Sequence, residues 1–469
     1  MKSDKLQDAI GTVDADLVTE AEKAPKKHRK LKWTAAVAAM LAVAIGIGAY
    51  FGVGSPFALN AYALAEAEYP TLAGYPDALL MIGYDEWRED QKTRRTYYGA
   101  GEDLDGFFSA TIAEFLSGSE TENRIYSPLN VYMALAMLAE ITDGESRAQI
   151  LTLLGADSID TLRTQAHAIW NANYNDDGAV TSILASSLWL NEDVAFKQKT
   201  LDTLAKNYYA SSYQGKMGSA SFNNALQEWM NAQTGGLLKK QIGEIEMTPE
   251  TVMSIVTTIY FQAKWDSEFS KAKTRTDVFH SANGDTNCEF MHRTETYGNY
   301  YWGTKFSAVS KRLENSGSMW FILPDEGVSV QELLSDSEAL AFLSANGDWE
   351  NYKSLKVNLS VPKFDVNSKL DLTAGLKNLG VTECFDGSAA DFTPLVAEEQ
   401  PLWLSNVEHG ARVAIDEEGV VAAAYTEMRL AGAAAPPDDE IDFVVDRPFL
   451  FVITGGDGLP LFVGVVNQP

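Results

Sequence analysis

A chain of 469 residues with 37 Lys/Arg against 65 Asp/Glu has a formal charge of −28. It is longer than one small core requires, and its acidity excludes nucleic acid or anionic lipid as the partner of its main body. A composition of 46% hydrophobic and 22% charged residues excludes a disordered chain.

Residues 1–32 are polar, without apolar periodicity, and end in a cluster of Lys and Arg; from Trp33 to Gly54 no charge occurs. That run matches the roughly 20 residues a helix needs to cross a bilayer. The basic cluster before it sets residues 1–32 in the cytoplasm and everything after Gly54 outside. Residues 33–54 therefore read as a transmembrane signal anchor holding the rest at the cell surface. The alternative is secretion after signal cleavage near Ala63 to Ala65. Residues 1–32 carry eight Lys/Arg and six Asp/Glu, a net of +2, which leaves −30 on the exported part.

Residues 55–101 mix Pro, Gly, Tyr and charges with no clean period, and read as a spacer, partly packed on the body, before a folded domain over 102–469. From Asp103 the pattern is helical, with Leu104, Phe107, Phe108, Ile112, Phe115 and Leu116 on one face. A short strand at 123–126 runs into a helix start, with Ser127 as N-cap and Pro128 in the first turn. The apolar stretch 131–141 predicts a helix buried nearly all round. A buried strand is expected over 184–190, a helix over 199–208 and a polar connection at 211–221. An apolar run covers 254–261, ahead of Lys264 and Trp265. A helix over 371–379 is capped by Gly380.

Nothing in the chain points to catalysis. The five histidines are not at metal-ligand spacing, and neither a nucleophile elbow nor a phosphate-binding glycine loop occurs. No cofactor or metal is expected. His409 could pair with Ser127 or Ser405 in a hydrolase, but a His among strand-like apolar residues reads as a core group. Cys288 and Cys384 leave open one disulfide or two buried thiols, and a fold of this size needs no bond.

The segment 416–437 is unusual: a long stretch almost free of turn residues, ending in Pro436-Pro437. Counted by twos from Gly419, one set is Val420, Ala422, Ala424, Thr426, Met428 and Leu430, nearly all apolar. The other is Val421, Ala423, Tyr425, Glu427, Arg429 and Ala431, which carries the charges. That alternation is the mark of a half-buried strand, whereas Gly419 and the run of Ala are poor strand formers. The two readings agree if the segment is a loop in one state and a strand in another.

Glu417-Glu418-Gly419 followed by Ala-rich sequence resembles the reactive-loop hinge of the serpin family. The segments around Ser127-Pro128, Trp229 to Leu238, Lys264-Trp265, Pro324 and Pro362, and the C-terminal 447–451 and 461–469, resemble family motifs in family order. The resemblance implies an α/β mixed (α+β) serpin fold: a large central β-sheet, further sheets, surrounding helices and an exposed reactive loop, here 416–437. It implies a monomeric inhibitor, not an enzyme, whose partner is a serine protease trapped as a covalent acyl complex when the cleaved loop inserts into the main sheet. The hinge would be Glu417, Glu418, Gly419, Val420, Val421, Ala422, Ala423 and Ala424. The family has Thr or Ser at the place of Val420 and Glu at that of Val421. Ser127, Thr257, Trp265 and His409 would govern sheet opening, with Thr257 standing where an Asn is expected. Family spacing puts the reactive bond at Ala433-Ala434, suited to an elastase-like protease with a shallow pocket. Bonds at Leu430 or Arg429 are alternative registers. The acidic segment 438–446 reads either as a selector of basic targets or as a solvated stretch. The different-class alternative is a non-inhibitory cell-surface binding module, or a plain protease substrate, on the same scaffold.

Overall fold

The computed structural model describes residues 59–469 except 77–81, 119, 237–245, 250, 399–400, 406, 421–436 and 438. The described residues belong to one compact unit, Pro56–Pro469. No helix among them is long and apolar enough to cross a membrane.

Two sheets organise the unit. The first runs, from edge to edge, β1 (Ala63–Ala65), β5 (Ala210–Gly215), β4 (Thr181–Asn191), β6 (Met253–Lys264), β14 (Gly419–Val420), β13 (Glu408–Ile415) and β12 (Phe364–Asp371), with β3 (Asn175–Asp176) paired to β4. The second runs β15 (Glu440–Val444), β11 (Tyr352–Pro362), β8 (Gly284–Trp302), β9 (Phe306–Arg312), β10 (Ser318–Pro324), β16 (Phe449–Thr454), β17 (Pro460–Val466) and β2 (Arg124–Tyr126), with β7 (Arg275–Ser281) on β8. β16 and β17 are buried at every position, as strands covered on both faces must be.

Helices surround the sheets. In chain order they are α1 (Tyr84–Arg95), α2 (Asp105–Leu116), α3 (Pro128–Ile141), α4 (Gly144–Leu154), α5 (Ile159–Asn173), α6 (Gln198–Asn207), α7 (Ala220–Gln233), α8 (Val330–Leu334), α9 (Ser337–Ser344) and α10 (Thr373–Asn378). All fourteen residues of α3 are buried, as its unbroken apolar run requires, and α3 lies in the main core with both sheets. Its N-terminus is capped by the Ser127 hydroxyl, which accepts from Asn130 N–H, with Pro128 in the first turn. The helix expected at 371–379 shortens to α10, and Gly380 adopts a φ of +93° just beyond it. A second core forms where α7 covers the first sheet, around Trp189, Tyr213, Phe222 and Trp229.

The structure sharpens two expectations and corrects one. The stretch 55–101, read as a spacer partly packed on the body, supplies β1 on the free edge of β5 and the helix α1. Its anchors are single half-buried aromatics, such as Tyr69 packed against Trp170 and Tyr174, and isolated side chains leave no period to read. The polar connection expected at 211–221 contains β5, whose Ser212 is fully buried. Serine hides a buried strand from a hydrophobicity count. The acidic segment after the loop is exposed but not free: Glu440 pairs with Lys356 at 2.8 Å and Asp439 with Lys353, while Asn358 donates to Glu440 and Asp442. The long β7–β8–β9 meander was not anticipated at all. Cys288 and Cys384 are both free thiols, with Cys384 fully buried.

Candidate functional site

The site lies where β6 and β13, which run in the same direction, are separated at one end by the two-residue strand β14. Gly419 pairs with Lys264 and Val420 with Ala263 on one side, and Val420 with Ile415 on the other, both antiparallel. Among the described residues no direct ladder joins β6 to β13. The close fit depends on glycine: a Cβ on Gly419 would stand 2.3 Å from the Ala263 carbonyl oxygen and 2.7 Å from Lys264 Cα. Val420 is 1% exposed, so the first member of the apolar set is already in the core.

The turn that carries β14 is held from several directions. The Asp416 carboxylate accepts from the N–H groups of Glu418 (2.8 Å) and Gly419 (3.2 Å), an Asx-type turn. Trp265 donates its indole N–H to the Asp416 carbonyl (2.8 Å) and its backbone N–H to that of Glu418 (3.0 Å), and Phe269 N–H reaches the Glu417 carbonyl (2.9 Å). Glu417 is 6% exposed. Burial works against its charge, but the Thr274 hydroxyl at 2.7 Å and Lys363 at 3.2 Å outweigh it and hold the carboxyl below the usual Glu range. Behind the turn, Lys311, 3% exposed, sits over the rings of Phe269 (4.9 Å) and Trp265 (5.8 Å). Burial pulls its pKa down, and Glu295 at 2.8 Å opposes that as its counter-ion.

Removing either side of the Glu417–Lys363 pair should loosen this turn. We expect Glu417→Ala and Lys363→Ala each to cost about 1–3 kcal/mol, because a partly buried charge loses its partner. The double variant should be little worse than either single one. A double-mutant cycle on thermal midpoints checks this, and strict additivity would show that the two groups act independently.

Deeper along the same seam, Ser127 and His409 come together: Ser127 N–H donates to His409 Nε2 at 3.1 Å. His409 is 1% exposed, and burial pushes its pKa down to about 4, so the ring is neutral. Its Nδ1 has no partner among the described residues, nor do the two amide atoms of the fully buried Asn130. Thr257 and His409 line one narrow apolar cavity of about 20 Å³, floored by Val131, Ala134 and Leu138 of α3. No hydrogen bond joins Thr257 to His409 among the described residues.

Thus Glu417, Glu418, Gly419, Val420 and Trp265 meet at one end of the seam, and Ser127, Thr257 and His409 farther along it. Val421, Ala422, Ala423, Ala424, Ala433 and Ala434 lie outside the described residues, as do the expected anchor at 33–54 and residues 1–32. Sequence reasoning missed Lys363, Thr274 and Lys311, which lie 54 to 143 positions from the hinge they support, and Asn130. Among the described residues no cluster of His, Cys, Asp or Glu could hold a metal ion.

The seam thus holds, between two strands that run in the same direction, a two-residue strand bonded to both. Residues 105–469 match the family model described as Serpin (serine protease inhibitor), and the chain belongs to the serpin family. The chain is 29% identical over 371 residues to Serpin-ZX of Arabidopsis thaliana, covering 75% of this chain and 93% of that one. It is 28% identical to the leukocyte elastase inhibitor of Sus scrofa, over 77% of this chain and 97% of that one. The native-state crystal structure of the thermophilic serpin tengpin superposes with a TM-score of 0.69 at 24% identity, covering 86% of this chain and 97% of that one. Family membership makes protease inhibition, rather than catalysis, the activity class of the chain.

Proposed function

We infer that this protein inhibits serine proteases as a suicide substrate, cut at Ala433-Ala434 and trapping the acyl-enzyme by inserting residues after Gly419 between β6 and β13. The observation that carries this reading is the register of β14. Continued residue by residue, Gly419 opposite Lys264 and Val420 opposite Ala263 lead to Thr426 opposite Thr257. The pairing of Val420 with Ile415 leads, on the other side, to Thr426 opposite His409. Residues opposed across a ladder face the same way, so the one hydroxyl of the inward set would arrive at the cavity where His409 Nδ1 lacks a partner. The rest of that set near the hinge, Val420, Ala422 and Ala424, is small and apolar, as a buried slot requires. The fourteen residues after Gly419, ending at Ala433, span roughly 46 Å when extended, at ~3.3 Å each. That distance carries a tethered protease from one end of the sheet towards the other before water can release it.

Ala433 before the cut fits an elastase-like pocket that admits small side chains, and a relative named for inhibiting leukocyte elastase is consistent with that class. The charge-free run 33–54 behind its basic cluster supports a membrane anchor, with a monomeric inhibitory domain outside the cell. Mixing the protein with a neutrophil-type elastase tests the inhibitory reading on a denaturing gel. The expected result is a band stable to denaturant at the summed mass, with a released peptide beginning at Ala434 by mass spectrometry. Complete cleavage without that band identifies a substrate, and a peptide beginning after Leu430 or Arg429 moves the reactive bond.

A further inference from the structure

The helix α1 precedes the residues that match the family, 105–469, and docks on the body beside two hairpin turns. Trp87 fixes it by donating its indole N–H to Asp177 at 3.0 Å and by meeting Tyr75 edge to face at 5.3 Å. Between the last turns of α1, the β9–β10 turn and the β16–β17 turn lies a cleft of about 280 Å³. Its walls include Arg94, Arg95, Tyr98, Asn315, Ser316 and Gly456, and no carboxylate is among its lining residues.

The cleft is rich in donors that lack acceptors. Among the described residues neither Arg94 nor Arg95 has a carboxylate within ion-pair distance; Arg94 donates only to the Gln91 side chain, at 2.5 Å. Arg94 Nε and Asn315 Nδ2 are both buried and without a hydrogen-bond partner. Such groups are uncommon in folded proteins because each one loses the stabilisation of its hydration. Asn315 is held at a φ of +51°, a conformation non-glycine residues seldom adopt. Gly456 brings the second turn close: a Cβ there would stand 2.7 Å from Tyr98 Oη and 3.9 Å from Arg94 Nη2.

One acid acts on this site from a distance. Asp457 feels the charge of Arg94, but its carboxylate accepts from Asn173 Nδ2 (2.8 Å) and Leu459 N–H (3.0 Å) instead, and burial shifts it towards its neutral form. In a chain of net charge −28, two arginines without an ion-pair partner among the described residues, beside the unpaired amide donor of Asn315, form an unusual local environment.

We propose that the cleft between α1 and the β9–β10 and β16–β17 turns binds a small oxyanion, a carboxylate or a phosphate or sulfate group, clamped by Arg94, Arg95 and Asn315. Guanidinium groups match both shapes through paired N–H donors. The bound group would join the N-terminal segment to the body, so binding and the docking of α1 would be coupled.

Thermal unfolding of the full-length protein in phosphate, sulfate and acetate tests this, with chloride at matched ionic strength as the reference. The expected result is a saturable rise in the melting temperature with at least one of these anions. Saturation with phosphate and sulfate alone identifies a tetrahedral group, and saturation with acetate alone a carboxylate. Arg94→Gln and Arg95→Gln should each weaken apparent binding by about tenfold or more, the loss of a charged hydrogen bond. Arg95 is exposed, so its variant should fold normally even where Arg94→Gln does not. A rise that never saturates, or that persists unchanged in Arg95→Gln, overturns the proposal. No protease enters the experiment, so its outcome is independent of inhibitory activity.

Discussion

Gly419→Ala should convert the protein from an inhibitor into a substrate. The added Cβ would meet backbone atoms of β6, the Ala263 oxygen at 2.3 Å and Lys264 Cα at 2.7 Å, and backbone cannot rotate away as a side chain would. Overpacking of this kind costs about 1–3 kcal/mol. Gly419 is already paired to β6 before cleavage, so the strain drives β14 out of the seam, and insertion must then begin by forcing that clash, which slows the step about ten- to a hundredfold. Hydrolysis of the acyl-enzyme takes place on the protease and is not slowed. The competition then favours release. On the denaturing gel the variant should be cut at the same bond with little or no covalent complex. Its cleaved form should also lack the gain in heat stability expected when the parent's loop inserts. A complex yield equal to the parent's would show that β14 is not on the insertion path.

Acidification should weaken the seam across a defined range, through His409. An ordinary His titrates near 6.5, and burial lowers this one to about 4. Between those values the unfolded chain binds a proton that the folded chain does not, so stability falls as pH drops from 6.5 to 4. The full contribution is about 3 kcal/mol. Once protonated, the ring can no longer accept from Ser127 N–H, and a charge stands in the apolar cavity it shares with Thr257. His167 and His292 are also shifted down by burial and act in the same direction, whereas the Asp285 carboxylate shifts His280 up and gives the opposite slope. His409→Gln therefore isolates the effect: melting temperature against pH should be flatter for the variant between 6.5 and 4. Glu417 acts lower. Its depressed pKa contributes stability above the ordinary Glu range that is lost only as pH falls further, so that limb should persist in His409→Gln. Parallel curves for parent and variant would sink the assignment to His409.

The sequence by itself determined the elements whose signal is local. The unbroken apolar run of α3, its Ser127 cap and Pro128, and the strand before Trp265 are set by neighbours a few positions apart. The turn that leads into β14, a glycine after acids and before small residues, is likewise a short-range pattern. Tertiary structure alone decided what grips that turn. Glu417 meets Thr274 and Lys363 across 143 and 54 positions, and no spacing in the chain announces a pair so distant. It also decided that β1 and α1 pack on the body, because Tyr69 and Trp87 each meet partners of their own and produce no periodicity. Likewise β5 pairs through its backbone while its side chains read as polar. Wherever burial follows from partners brought together by folding, composition and period carry no trace of it.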